Sequence, residues 1–173
     1  MPKSILFILL TIIGVSAINA QQVTPKEAFL EKWENSKNYL IKIAEAMPED
    51  AYGFKPTERQ RSFKEQLIHI KQNMAWLSTT YFLEEITEVD ESELNPETKA
   101  QIIEMLKKSF DSVSKIIKNI SDESLSETVD FFAGPKSKLQ ILNLLQDHVT
   151  HHRGQIIVYL NLKDVVPPNY SGW

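Results

Sequence analysis

The chain has 173 residues, with 19 Lys+Arg against 23 Asp+Glu, a formal charge of −4 and no cysteine. That composition excludes disulfides, thiolate metal ligands and a cysteine nucleophile, and without a concentrated basic patch nucleic acid is not an expected partner. No internal repeat or low-complexity linker marks a second domain.

Residues 1–20 read as an export signal. Met1 to Lys3 is a short positive start, Ile5 to Val15 is almost unbroken apolar sequence, and Ser16 to Ala20 ends in a small residue, so cleavage is expected after Ala20. The apolar run is short for a membrane span, an uncleaved signal anchor being the alternative. Residues 21–173 are then expected to form a single helical domain, secreted or periplasmic, with no stable membrane span after signal cleavage.

Thr24 and Pro25 open a first helix running to Met47, because a Thr cap, Pro at the first helical position and the early charge of Glu27 match the asymmetry of helix starts. Phe29, Trp33, Tyr39 or Leu40, and Ile43 give it one packed face. Pro48 to Pro56 breaks the run; Tyr52 and Phe54 there either close one end of a core or line a pocket mouth. A second helix spans about Ser62 to Phe82 on the stripe Phe63, Leu67, Ile70, Met74, Leu77 and Tyr81. His69 is offset from that stripe, beside Ser62, Gln66, Asn73 and Trp76. Such a mixed face belongs either to a polar cavity inside a bundle or to an exposed edge.

Glu84 to Pro96 is acidic, contains no glycine and lacks the alternating ligands of a calcium hand. It reads as a solvated linker, long enough to cross between nonadjacent helix ends. Glu97 to Ile120 is a third helix with Leu106, Phe110, Val113 and Ile117 on its apolar face. Val129 to Phe132 is a short extended or apolar loop segment, ended by Gly134 and Pro135. Beyond Leu160 the tail has no period, and either folds back over the bundle or stays free.

The fourth helix, Leu139 to Leu160, carries three of the four histidines. Ile141, Leu145, Ile156 and Tyr159 lie close to one line, widened by Leu142, Val149 and Leu160. His152 falls within that apolar sector and His148 beside it, whereas His151 is displaced toward its edge. The four-residue spacing stacks His148 and His152 about 6 Å apart along the axis, so both imidazoles can turn toward one ion. With a third imidazole from another helix, they would hold zinc, nickel or another borderline divalent ion and leave a position for water or substrate.

The block His148-Val149-Thr150-His151-His152-Arg153-Gly154-Gln155, followed by Pro167-Pro168, resembles the C-terminal helix of the DinB-like or YfiT-like four-helix-bundle family. The resemblance extends from the first helix, through Phe54-Lys55-Pro56 and His69, to the tail. It implies an all-α four-helix bundle with a long crossover connection, and a divalent-metal triad of His69, His148 and His152, with His151 as the adjacent nonligand.

Around that triad, Gln155 and Tyr159 are expected either to contact substrate and support the ligands or simply to pack. Glu65 and Asp147 are candidate imidazole orienters or proton acceptors, Asp147 being offset toward solvent. Arg153 is expected to anchor the bundle or a partner carboxylate, and Gly154 to permit close helix packing. The resemblance implies metal-dependent thiol transfer, isomerisation or hydrolysis on an unknown small-molecule substrate, any thiol coming from outside the chain. The competing reading is a noncatalytic, metal-stabilised extracytoplasmic binding protein, with a homodimer as a further expectation. Structural use of the metal predicts a closed coordination shell, and catalysis an open one.

Overall fold

Among the described residues each long helix starts at a hydroxyl followed three residues later by a Glu or Gln, and all four pairs close into capping boxes. Thr24 and Glu27 cap α1 (Pro25–Ala46), and Ser62 and Glu65 cap α2 (Phe63–Phe82). Thr98 and Gln101 cap α3 (Lys99–Asn119), and Ser137 and Gln140 cap α4 (Lys138–Leu162). This is a computed structural model that describes residues 23–83 and 97–173. The export signal expected at residues 1–20 and the acidic linker expected at Glu84 to Pro96 lie outside those residues.

The helices form an all-α bundle in which α1 and α2 each pack against α3 and α4, so that α1 and α2 stand diagonally opposed. α1 and α3 are antiparallel: Lys26 Nζ donates to Ile120 O (2.9 Å) at one end and Lys99 Nζ to Met47 O (2.8 Å) at the other. α2 and α3 instead run parallel. Their C-terminal ends, with Phe82, Ile116 and Asn119, line a common hollow of about 750 Å³ with Lys138 at the start of α4. Consecutive helices that run parallel put the end of α2 and the start of α3 at opposite ends of the bundle, an arrangement consistent with a crossover connection.

Trp33 is wholly buried at the α1–α3 contact. Its ring packs on Phe29 (5.2 Å) and Phe110 (4.7 Å), and its Nε1 donates to Phe110 O (3.1 Å), so the indole proton has a partner inside the core. Tyr52 closes the end of that core, donating its hydroxyl to Ala44 O (2.7 Å) and standing edge-on to Phe63. Phe54 lies over Tyr159 (6.1 Å). Two backbone bonds, Phe63 N to Phe54 O (3.0 Å) and Lys64 N to Tyr52 O (2.8 Å), pin this loop to the first turn of α2.

Between α3 and α4, β1 (Thr128–Val129) pairs antiparallel with β2 (Lys136–Ser137). The segment expected at Val129 to Phe132 to be extended or an apolar loop is strand at Val129 and loop beyond it; Phe131 and Phe132 lie in the turn, which Gly134 completes at φ +92°. The tail folds back over α1, where Asn35 Nδ2 donates to Ser171 O (3.0 Å) and Tyr170 stands edge-on to Tyr39. Among the described residues no helix is long and apolar enough to cross a membrane.

Candidate metal centre

α2 and α4 are antiparallel, with Gln66 opposite Gln155 and Tyr159, and His69, one turn later, opposite His148 and His152. The Nε2 atoms of His69 and His148 are 3.2 Å apart. The His152 ring centroid lies 4.6 Å from that of His69 and 4.4 Å from that of His148, and one ligand nitrogen from each residue falls within 4.8 Å of the others. Two nitrogens bound at about 2.0–2.1 Å to one ion at tetrahedral angles stand roughly 3.3–3.4 Å apart. His69 and His148 are therefore already at ligand spacing. Among the described residues no carboxylate or fourth histidine joins the group.

A chain of hydrogen bonds determines which nitrogen His152 offers. The Tyr159 hydroxyl donates to Arg61 O (2.8 Å) and accepts from Gln66 Nε2 (3.3 Å), which also donates to Gln155 Oε1 (2.8 Å). With its nitrogen so engaged, Gln66 turns Oε1 toward His152 Nδ1 at 2.7 Å. That contact requires the proton on Nδ1 and leaves the Nε2 lone pair free. Among the described residues three buried side-chain atoms on these two helices have no hydrogen-bond partner: His148 Nδ1, Gln146 Oε1 and Asn73 Oδ1, the last one turn beyond His69.

The electrostatics favour neutral rings. Burial, reinforced by the neighbouring imidazoles and by Arg61, pushes His148 and His152 down from 6.5 to about 4. Burial also lowers His69, with Arg61 the second cause. Neutral imidazole is the form that ligates a metal, so at neutral pH no excess proton need be released from these rings.

This depression carries a stability consequence. Unfolded histidines near 6.5 take up protons before the folded ones do, so their contribution is complete above that value and is lost as pH falls from 6.5 toward about 4. Each such histidine adds a slope of about 1.4 kcal/mol per pH unit within that window. Thermal unfolding of the metal-free protein across pH 4–7 should therefore be steeper than that of His152→Ala; superimposable profiles would contradict the burial.

The remaining expected residues take distinct places. Gln155 and Tyr159 reach the cluster through Gln66, and the exposed His151 accepts at Nε2 from Gln155 Nε2 (2.8 Å). Glu65 accepts from Ser62 N (2.6 Å) and meets Lys55 Nζ (3.5 Å); the Ser62 hydrogen bonds, backbone first, with a smaller effect of Lys55, hold its carboxyl below the usual range. Asp147 is exposed. Arg153 anchors the bundle: it is buried against the Tyr39 ring (5.0 Å) and Ser36 Oγ (3.5 Å), with no carboxylate partner among the described residues. Gly154 corrects the expectation of close helix packing, because it is exposed and a Cβ built there meets nothing within 4 Å. Gln66 was visible in the sequence only as a polar residue on the face of His69.

A depression of about 440 Å³ opens beside the cluster, lined by His69 together with Lys55, Glu58, Arg59, Arg61 and Glu65.

A family model described as the DinB family matches residues 20–172. An uncharacterized protein of Bacillus subtilis strain 168, YjoA, is 25% identical over 133 residues, covering 72% of this chain and 81% of its own length. The crystal structure of that DinB-like protein superposes with a TM-score of 0.69 at 20% identity, covering 83% of this chain and 96% of the relative. A DinB-like protein from Bacillus cereus gives 0.72 at 18%, covering 84% and 97%. At these identities the two structures establish a shared fold.

Proposed function

Because the chain belongs to the DinB family, with three imidazoles converging inside its bundle, we propose that it is a divalent-metal-dependent enzyme acting on a small molecule. The observation that carries this reading is the donor set. Three neutral nitrogens meet with no fourth protein ligand among the described residues, beside a depression that His69 itself lines. A structural site surrounds its ion with protein ligands, whereas a catalytic one keeps a position for water or substrate. An ion of the zinc or nickel class held by His69, His148 and His152 would supply Lewis-acid activation of a water or a small thiol at that position.

The protein's own residues prepare the site. Gln66 keeps the His152 proton on Nδ1 and thereby the Nε2 lone pair available, while Tyr159 and Gln155 hold the Gln66 amide in that orientation. Burial favours the neutral form of the three rings at neutral pH. With no cysteine in the chain, thiol chemistry needs an exogenous thiol and hydrolysis needs only water.

Cobalt substitution tests the open position. The visible spectrum of the cobalt-loaded protein should shift when 2-mercaptoethanol is added, and chelation should leave the helices folded. An unchanged spectrum, together with unfolding on chelation, would replace the enzyme reading with a structural metal.

A further inference from the structure

The depression beside His69 has a charge pattern that no ion pair among the described residues balances. Of its three cations, Lys55 is already paired with Glu65 (3.5 Å). Arg59 and Arg61 are exposed and have no carboxylate partner among the described residues, and the one other acid lining the hollow, Glu58, is itself exposed. Arg61 is also close enough for its charge to act on all three imidazoles. A cation left unpaired beside neutral rings favours an anion.

The segment bearing Arg61 is anchored. Its carbonyl accepts the Tyr159 hydroxyl (2.8 Å), the next two residues are pinned by the Ser62–Glu65 cap and by Phe63 N to Phe54 O, and Gln60 N closes a turn on Thr57 O (3.1 Å). The hydrogen-bond chain that sets His152 therefore also sets where the Arg61 backbone stands relative to the cluster. Such anchoring lowers the ordering cost of binding. A guanidinium offers a planar fork matched to the two oxygens of a carboxylate or phosphate.

We propose that the substrate of this site carries an oxyanion, a carboxylate or a phosphate, received by Arg61 with Arg59 beside it while the reacting group stands at the imidazoles. This rests on the reading of the three histidines as the reaction centre and specifies the class of molecule that reaches it.

The test titrates the full-length, zinc-loaded protein with inorganic phosphate and, in a parallel arm, with succinate at constant ionic strength, followed by calorimetry. At least one anion should bind, and Arg61→Gln should weaken it by about tenfold, at unchanged zinc content. Lys42→Gln, which removes an exposed cation outside the depression, should change affinity by less than about twofold. Arg61-dependence in the phosphate arm assigns a phosphate-bearing substrate, and in the succinate arm a carboxylate. Absence of binding to either anion, equal binding by wild type and Arg61→Gln, or an equal loss in Lys42→Gln would overturn the proposal. Zinc content separates the two readings: Arg61-dependent binding by a protein that retains no zinc would keep the anion site and remove the metal centre.

Discussion

Replacing His148 or His152 with alanine is expected to strip the protein of metal, whereas replacing His151 leaves its occupancy near that of the wild type. The three residues sit within one helical turn of each other, so composition and local helix propensity barely distinguish the variants. They differ in direction. His148 Nε2 stands 3.2 Å from His69 Nε2, and a ring nitrogen of His152 falls within 4.8 Å of ligand nitrogens on both, while His151 is exposed and bonded to Gln155. Removing a direct ligand should cost more than the ~10–100-fold typical of losing a group that only supports one. Elemental analysis and chelator competition on matched purified variants check the ordering, and equal occupancy in all three would reject the triad.

Gln66→Leu is expected to lower metal affinity by about 10–100-fold without altering any ligand. Gln66 is 3% exposed, and its amide oxygen is the acceptor for His152 Nδ1. Leucine of similar volume would leave that buried N–H unpaired, at a cost of about 1–3 kcal/mol. It would also let the proton move to Nε2, where it competes with the ion. Gln66→Glu provides the discriminating control: a carboxylate still accepts from Nδ1 and should retain most of the affinity, although it no longer donates to Tyr159 and Gln155. Competition titrations showing Leu and Glu variants with wild-type affinity would mean that the contact does not govern the ligand.

Glu65 shows how one residue can carry two local signals. It is little offset from His69 on the helix, which makes it a candidate imidazole orienter or proton acceptor, and Ser62-x-x-Glu65 is also a capping-box pattern, in which the carboxylate accepts from Ser62 N. The same pattern, readable at Ser137 and Gln140, marks the start of α4 one residue earlier than its apolar period does. The small hairpin was less legible because two-residue strands carry no alternation, and only Gly134 and Pro135 announced its turn.

By itself the sequence determined four amphipathic helices, their breaks, and the inward pair His148 and His152, because a helix repeats every 3.6 residues and spacing alone puts residues on one face. His69 entered through resemblance to a family, its own period leaving it between cavity and edge. Only the tertiary structure decided that α2 lies antiparallel to α4 in the register that brings His69 to the pair, that Gln66 holds a ring 86 residues away, and that Arg61 stands beside the imidazoles. Those contacts depend on the packing of separate helices, and no periodicity within one helix encodes its rotation and register against another.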